Sequence, residues 1–583
     1  MTTDANGNIF VAGTFTGSIF INSITLSSAS STDIFVAKYV PATNTWAWAQ
    51  RCGGLGADAA YGIAVSGNSV YVTGTIGNNT FDFGNVTFDD GTGSMGTIHQ
   101  YGAVNAASNQ DIVLLKYLDQ GTSAALAWTQ VAGGSGSDVG YSIAVNGNAI
   151  YLTGNITNNI ANTAGVVFGG AGTIPGTLSQ LGAANTTASS DVVVAKYLDQ
   201  GTSAMVAWTQ VGGGTNNDSG QSITVNGTAV YITGYATNTL LNANNVLFGG
   251  SGNTIGTVAM NGASFSNSQD LVIAKYVDQG LNATLGWVQS AGGQDTDYGS
   301  GIAVSGSNIY ITGSIYNDLA NSYAVAFRNA GTTPSPVAQY GAAATASQDV
   351  VVAKYTDQGS TAFVAWTQVG GSSAAEAGVG ITLVGTHIYI TGTTTANAVF
   401  GGAGSTPGTS SVPALPIGSS GINVLAASYT DNGTSATLGW LQTGGSIYTD
   451  YGYCLVISSS RLYIAGFLSS QSATFGSLHL SMAYSINPGF FAALDLSATL
   501  STTPATSVGV TMPTVYIWPN PAAGAAILSG AAPGAPVGIF DALGRRVATA
   551  TADATGAAAL PVGLAPGLYL VRAGAGTVRW AVE

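Results

Sequence analysis

The sequence predicts an all-β protein: a β-propeller of about seven four-stranded blades, followed by a small immunoglobulin-like β-sandwich. Three observations predict it. One segment recurs about seven times, each copy holds four short β-rich runs, and the composition changes near the C-terminus. A lone four-stranded sheet would leave two apolar faces in water, whereas stacking the copies in a ring buries both faces. We expect the propeller over residues 1–496, a linker over 497–511 and the sandwich over 512–583.

Two aromatic positions mark the repeat. An aromatic residue just before a Thr-Gly or Ala-Gly step recurs at Phe10, Tyr71, Tyr151, Tyr231, Tyr310, Tyr389 and Tyr463. A tryptophan recurs, with spacings of 80, 80, 79, 79 and 74 residues, at Trp48, Trp128, Trp208, Trp287, Trp366 and Trp440. Gly, Asn and Asp separate the β-rich runs, as in hairpins, and no helical period persists. The first copy lacks its first run, and the last copy lacks its fourth.

The repeated motifs resemble a known family. They are Gly-Asn-x-Val-Tyr-Val-Thr-Gly, here Gly67 to Gly74, and Asp-x-x-Val-Ala-Lys-Tyr followed by tryptophan. Both resemble the seven-bladed bacterial propeller repeat (SBBP), over roughly residues 4–496. The resemblance implies a secreted or surface location and no defined chemistry. The chain departs from the family in its long loops between second and third strands, such as Asn155 to Ser190.

Composition narrows the range of partners. Charged residues make up 7% of the chain, and the formal net charge is −14. An acidic body offers no basic face for nucleic acid and none for anionic lipid. No apolar run is long enough to span a membrane. Cys52 and Cys454 are the only cysteines, so there is neither a disulfide framework nor zinc spacing.

The C-terminal segment carries its own ordered motifs. Pro-Asn-Pro, Asp-x-x-Gly-Arg, Gly-x-Tyr and a final apolar strand follow one another, with the motif residues Pro519, Asn520, Pro521, Asp541, Gly544, Arg545, Gly567 and Tyr569. This order resembles the C-terminal sorting domain of the type IX secretion system of Bacteroidetes-type bacteria. It implies the type IX secretion machinery as partner, and an extracellular or outer-membrane-surface location.

The start of the chain conflicts with export. Met1-Thr2-Thr3-Asp4 shows no signal peptide and falls inside a repeat. We therefore expect the upstream genomic sequence to encode, in frame, the missing first strand and a signal peptide.

One acidic residue recurs 13 positions before the motif tyrosine, as Asp58, Asp138, Asp218, Asp297, Glu376 and Asp450. We predict a turn residue whose carboxylate caps backbone amides. The alternative is a ring of carboxylates that binds Ca²⁺ or a cationic ligand. Only Asp295 and Asp297 form a calcium-like Asp-x-Asp, and no further ligand positions follow. We therefore expect no cofactor, with Ca²⁺ as the alternative.

All five lysines of the chain occupy one repeat position, as Lys38, Lys116, Lys196, Lys275 and Lys354, and the sixth copy has Ser428 there. We predict that each pairs with a carboxylate of the same or the next blade. The Asp that opens the same strand is a candidate, because it is replaced by Asn423 in the copy that lacks the lysine. The alternative is a basic ring that binds a ligand. We expect the repeated tryptophans to pack between blades rather than to stack on sugars.

No catalytic constellation is apparent. His99, His387 and His479 fall at unrelated repeat positions, and no nucleophile elbow or phosphate loop occurs. The sequence favours a surface binding or adhesion module for an unknown extracellular ligand, a glycan or a protein, with specificity in the long loops. The alternatives are a purely structural surface or matrix protein, and an extracellular lyase or glycosidase.

Overall fold

The computed structural model divides into a main part, Met1–Leu500, and a C-terminal part, Ser501–Glu583. It describes all residues except 22–23, 30, 78–85, 89–98, 101–109, 159–164, 172–173, 175, 184–188, 242–245, 265, 328–336, 414–420, 471, 476–477, 482–487, 497–515, 519–524, 542–544, 574–575 and 583. The described residues form strands and turns, and none of them forms a helix that could span a membrane. The predicted linker, 497–511, lies outside the described residues.

The described residues of the main part form seven larger antiparallel sheets, which we number 1 to 7 along the chain, and one separate two-stranded hairpin. Their strands are given in hydrogen-bonding order. Sheet 1 contains Thr2–Thr3, Ile9–Phe15, Asp33–Val40, Thr45–Gly53, Val86–Phe88 and His99–Gln100. Sheet 2 contains Ala59–Ser66, Ser69–Gly77, Gln110–Asp119, Ala124–Gly133, Val166–Gly170 and Leu178–Gln180. Sheet 3 contains Val139–Asn146, Ala149–Asn158, Ser189–Asp199, Ala204–Gly213, Leu247–Gly250 and Val258–Ala259.

The later sheets repeat this order. Sheet 4 contains Ser219–Asn226, Ala229–Asn238, Ser268–Asp278, Ala283–Gly292, Ala326–Phe327 and Val337–Ala338. Sheet 5 contains Tyr298–Ser305, Asn308–Asn317, Ser347–Asp357, Ala362–Gly371, Val399–Gly402 and Ser410–Ser411. Sheet 6 contains Ala377–Val384, His387–Thr394, Asn423–Asp431, Ala436–Gly445, Ser472–Phe475 and Leu478–Ser481. Sheet 7 contains Tyr451–Ser458, Arg461–Phe467 and Gly489–Asp495, and a separate hairpin joins Ser18–Ile21 to Ile24–Ser27.

The long loops between second and third strands differ from the prediction. The loops of sheets 2 to 7 each send a hairpin back to the preceding sheet, where it supplies the fifth and sixth strands, so sheets 1 to 6 have six described strands rather than four. In sheet 3, Val246 and Phe248 of this hairpin are fully buried. The ring of Phe248 occupies the space that a side chain at Gly212 of the fourth strand would need. The hairpin is therefore fixed by apolar packing on the preceding sheet.

The sheets contact one another in sequence order, and the last contacts the first. The first strand of each sheet touches the first strand of the next, and Tyr451–Ser458 of sheet 7 touches Thr2–Thr3 of sheet 1. At this closing contact the Ser458 hydroxyl donates to the carbonyl of Gly7 at 2.7 Å. Ile9 of sheet 1 also shares a buried apolar cluster with Val456 of sheet 7. The short strand Thr2–Thr3 occupies the first-strand position that the sequence appeared to lack.

The C-terminal part has two small sheets. One contains Tyr516–Trp518, Ile527–Ser529 and Ala558–Ala559, and the other contains Arg546–Thr551, Pro536–Phe540, Gly567–Ala573 and Gly576–Val582. Leu528 of the first sheet shares one buried cluster with Ile539, Val571 and Trp580 of the second. This part therefore has a hydrophobic core of its own.

Candidate functional site

The repeated lysines join each sheet to the next. In sheet 2, Lys116 lies between Tyr71 on the second strand and Trp128 on the fourth. The Lys116 ammonium lies 2.5 Å from the Oδ2 of Asp199, which opens the third-to-fourth-strand turn of sheet 3. Tyr71 donates its hydroxyl proton to the same oxygen at 2.7 Å, and the Trp128 indole donates to Oδ1 at 3.0 Å. We call this four-residue arrangement the interlock.

The interlock occurs five times. The lysine-to-aspartate distances are 2.5–2.6 Å, in the pairs Lys38–Asp119, Lys116–Asp199, Lys196–Asp278, Lys275–Asp357 and Lys354–Asp431. Each lysine also lies 5.6–5.9 Å from the centre of the motif aromatic ring, which adds a cation–π contact. In the first copy that ring is Phe10, which has no hydroxyl to donate. All five lysines are buried, so each is bound inside a contact between sheets.

The ionised form of the interlock aspartate is favoured. Burial alone would raise the pKa of Asp278, but hydrogen bonds from Lys196, Tyr151 and Trp208 outweigh it and lower that pKa. Asp199, Asp357 and Asp431 are lowered in pKa by the same balance. Burial, and then the hydrogen bond to Asp278, raise the pKa of the Tyr151 hydroxyl, which stays a donor.

The lysine partner differs from the candidate that the sequence suggested. It is the turn aspartate of the next sheet and not the aspartate that opens the lysine's own strand. In sheet 7, Leu496 occupies the position of the turn aspartate. Its amide donates to the carbonyl of Ser460, just as the amide of Asp431 in sheet 6 donates to the carbonyl of Thr386. Sheet 6, whose lysine position carries Ser428, is therefore followed by a sheet with Leu496, and no carboxylate, at the turn position.

The six repeated acids cap backbone amides. Asp218 is fully buried; its Oδ2 accepts from the Gly214 amide at 2.6 Å, and its Oδ1 from the Thr237 amide at 2.7 Å. The same two-sided capping occurs at Asp58, Asp138, Asp297 and Asp450. Glu376 accepts from the amide and hydroxyl of Ser372 and from the Thr395 hydroxyl. Each acid thereby ties the loop between two sheets to the second strand of its own sheet.

The calcium candidates do not converge. Both Asp297 oxygens accept backbone amides, from Gly293 and Tyr316, and Asp295 accepts the amide of Thr296 at 2.8 Å. Among the described residues, no three His, Cys, Asp or Glu side chains gather as metal ligands would. A Ca²⁺ site at this turn stays a prediction from the sequence.

One repeat position lies outside these contacts. A β-bulge interrupts the first strand of sheets 2 to 7, at Tyr61, Tyr141, Gln221, Ser300, Val379 and Tyr453. The side chains of Tyr61 and Tyr453 are 52% and 51% exposed. The rings of Tyr61 and Tyr141 lie 5.2 Å apart, centre to centre. These residues lie on the strands that contact each other around the closed series of sheets, and their chemistry differs between sheets. Sequence inspection missed them because the position is defined only by the bulge.

The sorting motif is described in part. Arg545 Nε donates to Asp541 Oδ2 at 2.8 Å, and the Tyr569 hydroxyl donates to the carbonyl of Ala565 at 2.8 Å. Gly567 begins the strand that carries Tyr569. Pro519, Asn520, Pro521 and Gly544 lie outside the described residues, as do the side chains of His99 and His479. His387 bonds through Nδ1 to the Thr430 hydroxyl at 3.3 Å.

Comparison with known proteins gives little information about the family or function of this chain. No protein-family profile matches the chain, and no curated protein matches it. One similar solved structure is PorZ, described as an essential bacterial surface component of the type-IX secretion system of Porphyromonas gingivalis. The match covers 95% of this chain and 91% of PorZ, at 9% identity and a TM-score of 0.17. A similarity this weak supports no inference about fold or function.

Proposed function

We propose that the main part is a seven-bladed β-propeller that works as a secreted or cell-surface binding module. The seven sheets, the first strands that touch in sequence order, and the contact between sheets 7 and 1 support the propeller. Each sheet is then one blade, and the first strands surround the central axis. The separate hairpin Ser18–Ile21 and Ile24–Ser27 belongs to the first repeat, whose preceding blade, sheet 7, has no described fourth strand to receive it.

The distribution of charged groups favours binding over catalysis. The five lysines and their aspartates are committed to blade-to-blade contacts, and the six repeated acids are committed to amide caps. An enzyme needs acid, base or metal groups gathered in one place. The residue at the bulge position differs between blades; three of the six are tyrosines, and two of these, Tyr61 and Tyr453, are exposed. Tyrosine supplies a large amphipathic contact surface with little loss of side-chain entropy. The divergence of this position is the main support for the proposal, and we propose that the ligand contacts these bulge residues near the axis.

The bulge tyrosines are expected to be required for ligand capture. On a glycan array, the full chain should retain a defined set of glycans, and Tyr61→Ala and Tyr453→Ala should each weaken that retention at least about tenfold (~1.4 kcal/mol). Phe363→Ala is the matched control, because Phe363 is an exposed aromatic residue on a fourth strand. Retention that is equal in all three variants would exclude the axis as the binding site. An array that retains nothing would favour a purely structural surface role.

The C-terminal part is proposed to be a type IX sorting domain with a sandwich fold. Its order of motifs and its own two-sheet core support this. On this proposal the secretion machinery reads residues 512–583, and the propeller is released or attached outside the outer membrane.

A further inference from the structure

A second acid meets the capping acid Asp218 in the contact between sheets 3 and 4. Asp191 opens the third strand of sheet 3, and its Oδ2 accepts the Ala183 amide at 2.9 Å. Its Oδ1 is buried and has no hydrogen-bond partner among the described groups. That oxygen and Asp218 Oδ2 both crowd the same face of Gly213, where an added Cβ would overlap them. Two buried carboxyl groups therefore converge, and one oxygen lacks a donor.

The same arrangement recurs at the contact between sheets 5 and 6. Asp349 Oδ1 and Glu376 Oε2 crowd Gly371 in the same way. Asp349 Oδ2 accepts the Ala342 amide at 2.8 Å, and Asp349 Oδ1 is buried without a hydrogen-bond partner among the described groups. Two like charges this close in a buried site would repel strongly if both were ionised.

In two other copies a change of residue relieves this repulsion, by compensating one charge or by removing it. In sheet 1 the strand-opening Asp33 is bound by Arg51 at 2.6 Å, and the pair faces Asp58. In sheet 6 the strand-opening residue is Asn423, which carries no charge; its Oδ1 faces Asp450 Oδ2 across Gly445, and its amide nitrogen donates to the carbonyl of Gly421 at 3.0 Å. Neither device is present at Asp191 or Asp349. Among the described residues, no cation forms an ion pair with the acids of these two pairs.

We infer that the pairs Asp191–Asp218 and Asp349–Glu376 each bind one proton, so that one neutral carboxyl donates a hydrogen bond to the other, ionised carboxyl. The proton supplies the donor that Asp191 Oδ1 lacks, and it relieves the charge repulsion that the neutral Asn423 avoids in sheet 6 and that Arg51 compensates in sheet 1. A metal ion fits less well, because backbone amides already occupy both Asp218 oxygens and Asp191 Oδ2.

Neighbouring groups leave the proton in place. Burial raises the pKa of Asp218 to about 8 despite its two amide donors. Burial, and then the charge of Asp218, raise the pKa of Asp191. Burial raises the pKa of Asp349 to about 8, and it also raises the pKa of Glu376. Tyr235 is the further titratable group near Asp218, and burial and Asp218 raise its pKa, so it stays neutral. The groups facing Glu376 are the hydroxyls of Ser372 and Thr395.

The direction of the pH dependence follows. An unfolded Asp ionises near pH 4, whereas burial raises the pKa of Asp218 to about 8 in the folded protein and raises that of Asp191 as well. Between these values unfolding releases the proton, so the unfolding equilibrium constant rises about tenfold per pH unit for each pair. The contribution of the pair to stability is complete below the unfolded pKa and is lost as the pH rises through the folded pKa.

Infrared spectroscopy and pH-dependent unfolding of the full chain test this inference. At pH 6 the folded protein should show the carbonyl stretch of neutral carboxyl groups. Asp191→Asn and Asp349→Asn should each reduce that band and lower the proton release on unfolding by about one. Asn423→Asp should add about one proton. Asp553→Asn, at an exposed acid, should change neither quantity.

Either of two results would overturn the inference. The first is a wild-type spectrum at pH 6 without a neutral carboxyl band, which needs no variant to fold. The second is a band and a proton count that are the same in Asp191→Asn and Asp349→Asn as in the wild type.

Discussion

Lys196→Ala is expected to destabilise the main part by about 3–5 kcal/mol, because it leaves a buried carboxylate without its cation. The Lys196 ammonium lies 2.6 Å from Asp278 Oδ2, and the side chains are only 5% and 10% exposed. Tyr151 and Trp208 would still donate to Asp278, but neither supplies charge. Chemical denaturation, followed by the fluorescence of the buried tryptophans, measures the loss.

The chain supplies a control for this experiment. Lys196→Ser combined with Asp278→Leu copies the residues that sheets 6 and 7 use, Ser428 and Leu496. The double variant should be more stable than the sum of its single variants predicts, because no buried charge remains unpaired. A cost below about 1 kcal/mol for Lys196→Ala, or simple additivity in the double variant, would contradict the interlock as a coupled unit.

Phe248→Ala should release the hairpin that one repeat lays on the preceding sheet. The ring of Phe248 is fully buried against Gly212, and removing a buried phenylalanine costs about 3–5 kcal/mol. Since the hairpin holds few other large apolar side chains, we expect local opening before global unfolding. Limited proteolysis should then cut between residues 239 and 267 in the variant first.

Leu241→Ala is the matched control, because Leu241 lies in the same loop with its side chain 76% exposed. It should leave the cleavage rate unchanged. Equal cleavage of Phe248→Ala and wild type would mean that the hairpin does not depend on this phenylalanine.

The sequence predicted the regular features of the fold because those features repeat. Trp208 and Lys196 recur at nearly constant spacing, so their strands and their confinement to one position were visible without coordinates. The partner of Lys196 was missed because Asp278 opens an Asp-Gln-Gly turn, and a turn role accounts for an aspartate there without any ion pair. Which carboxylate faces a lysine depends on how one sheet stacks on the next, and a single repeat carries no information about that.

The hairpins and the bulges were missed for related reasons. Val246 and Phe248 are two apolar residues within a long stretch of Gly, Asn, Ser and Thr, and so short an apolar run does not separate a strand from a loop. The partner of Phe248 is Gly212, which has no side chain that could indicate the contact in the sequence. Tyr61 and Tyr453 lie in runs that alternate as ordinary strands do, so only the bulge distinguishes their position from the rest of the strand.

Deleting residues 501–583 tests most directly the central claim that the main part is a self-contained propeller which the C-terminal part directs to the cell surface. Expressed in a bacterium with a type IX system and behind a functional signal peptide, the full chain should be found at the surface or in the medium. The truncated chain should stay inside the envelope, folded, with the thermal unfolding transition that the main part shows in the full chain. A truncated chain that reaches the surface, or that fails to fold, would contradict the account.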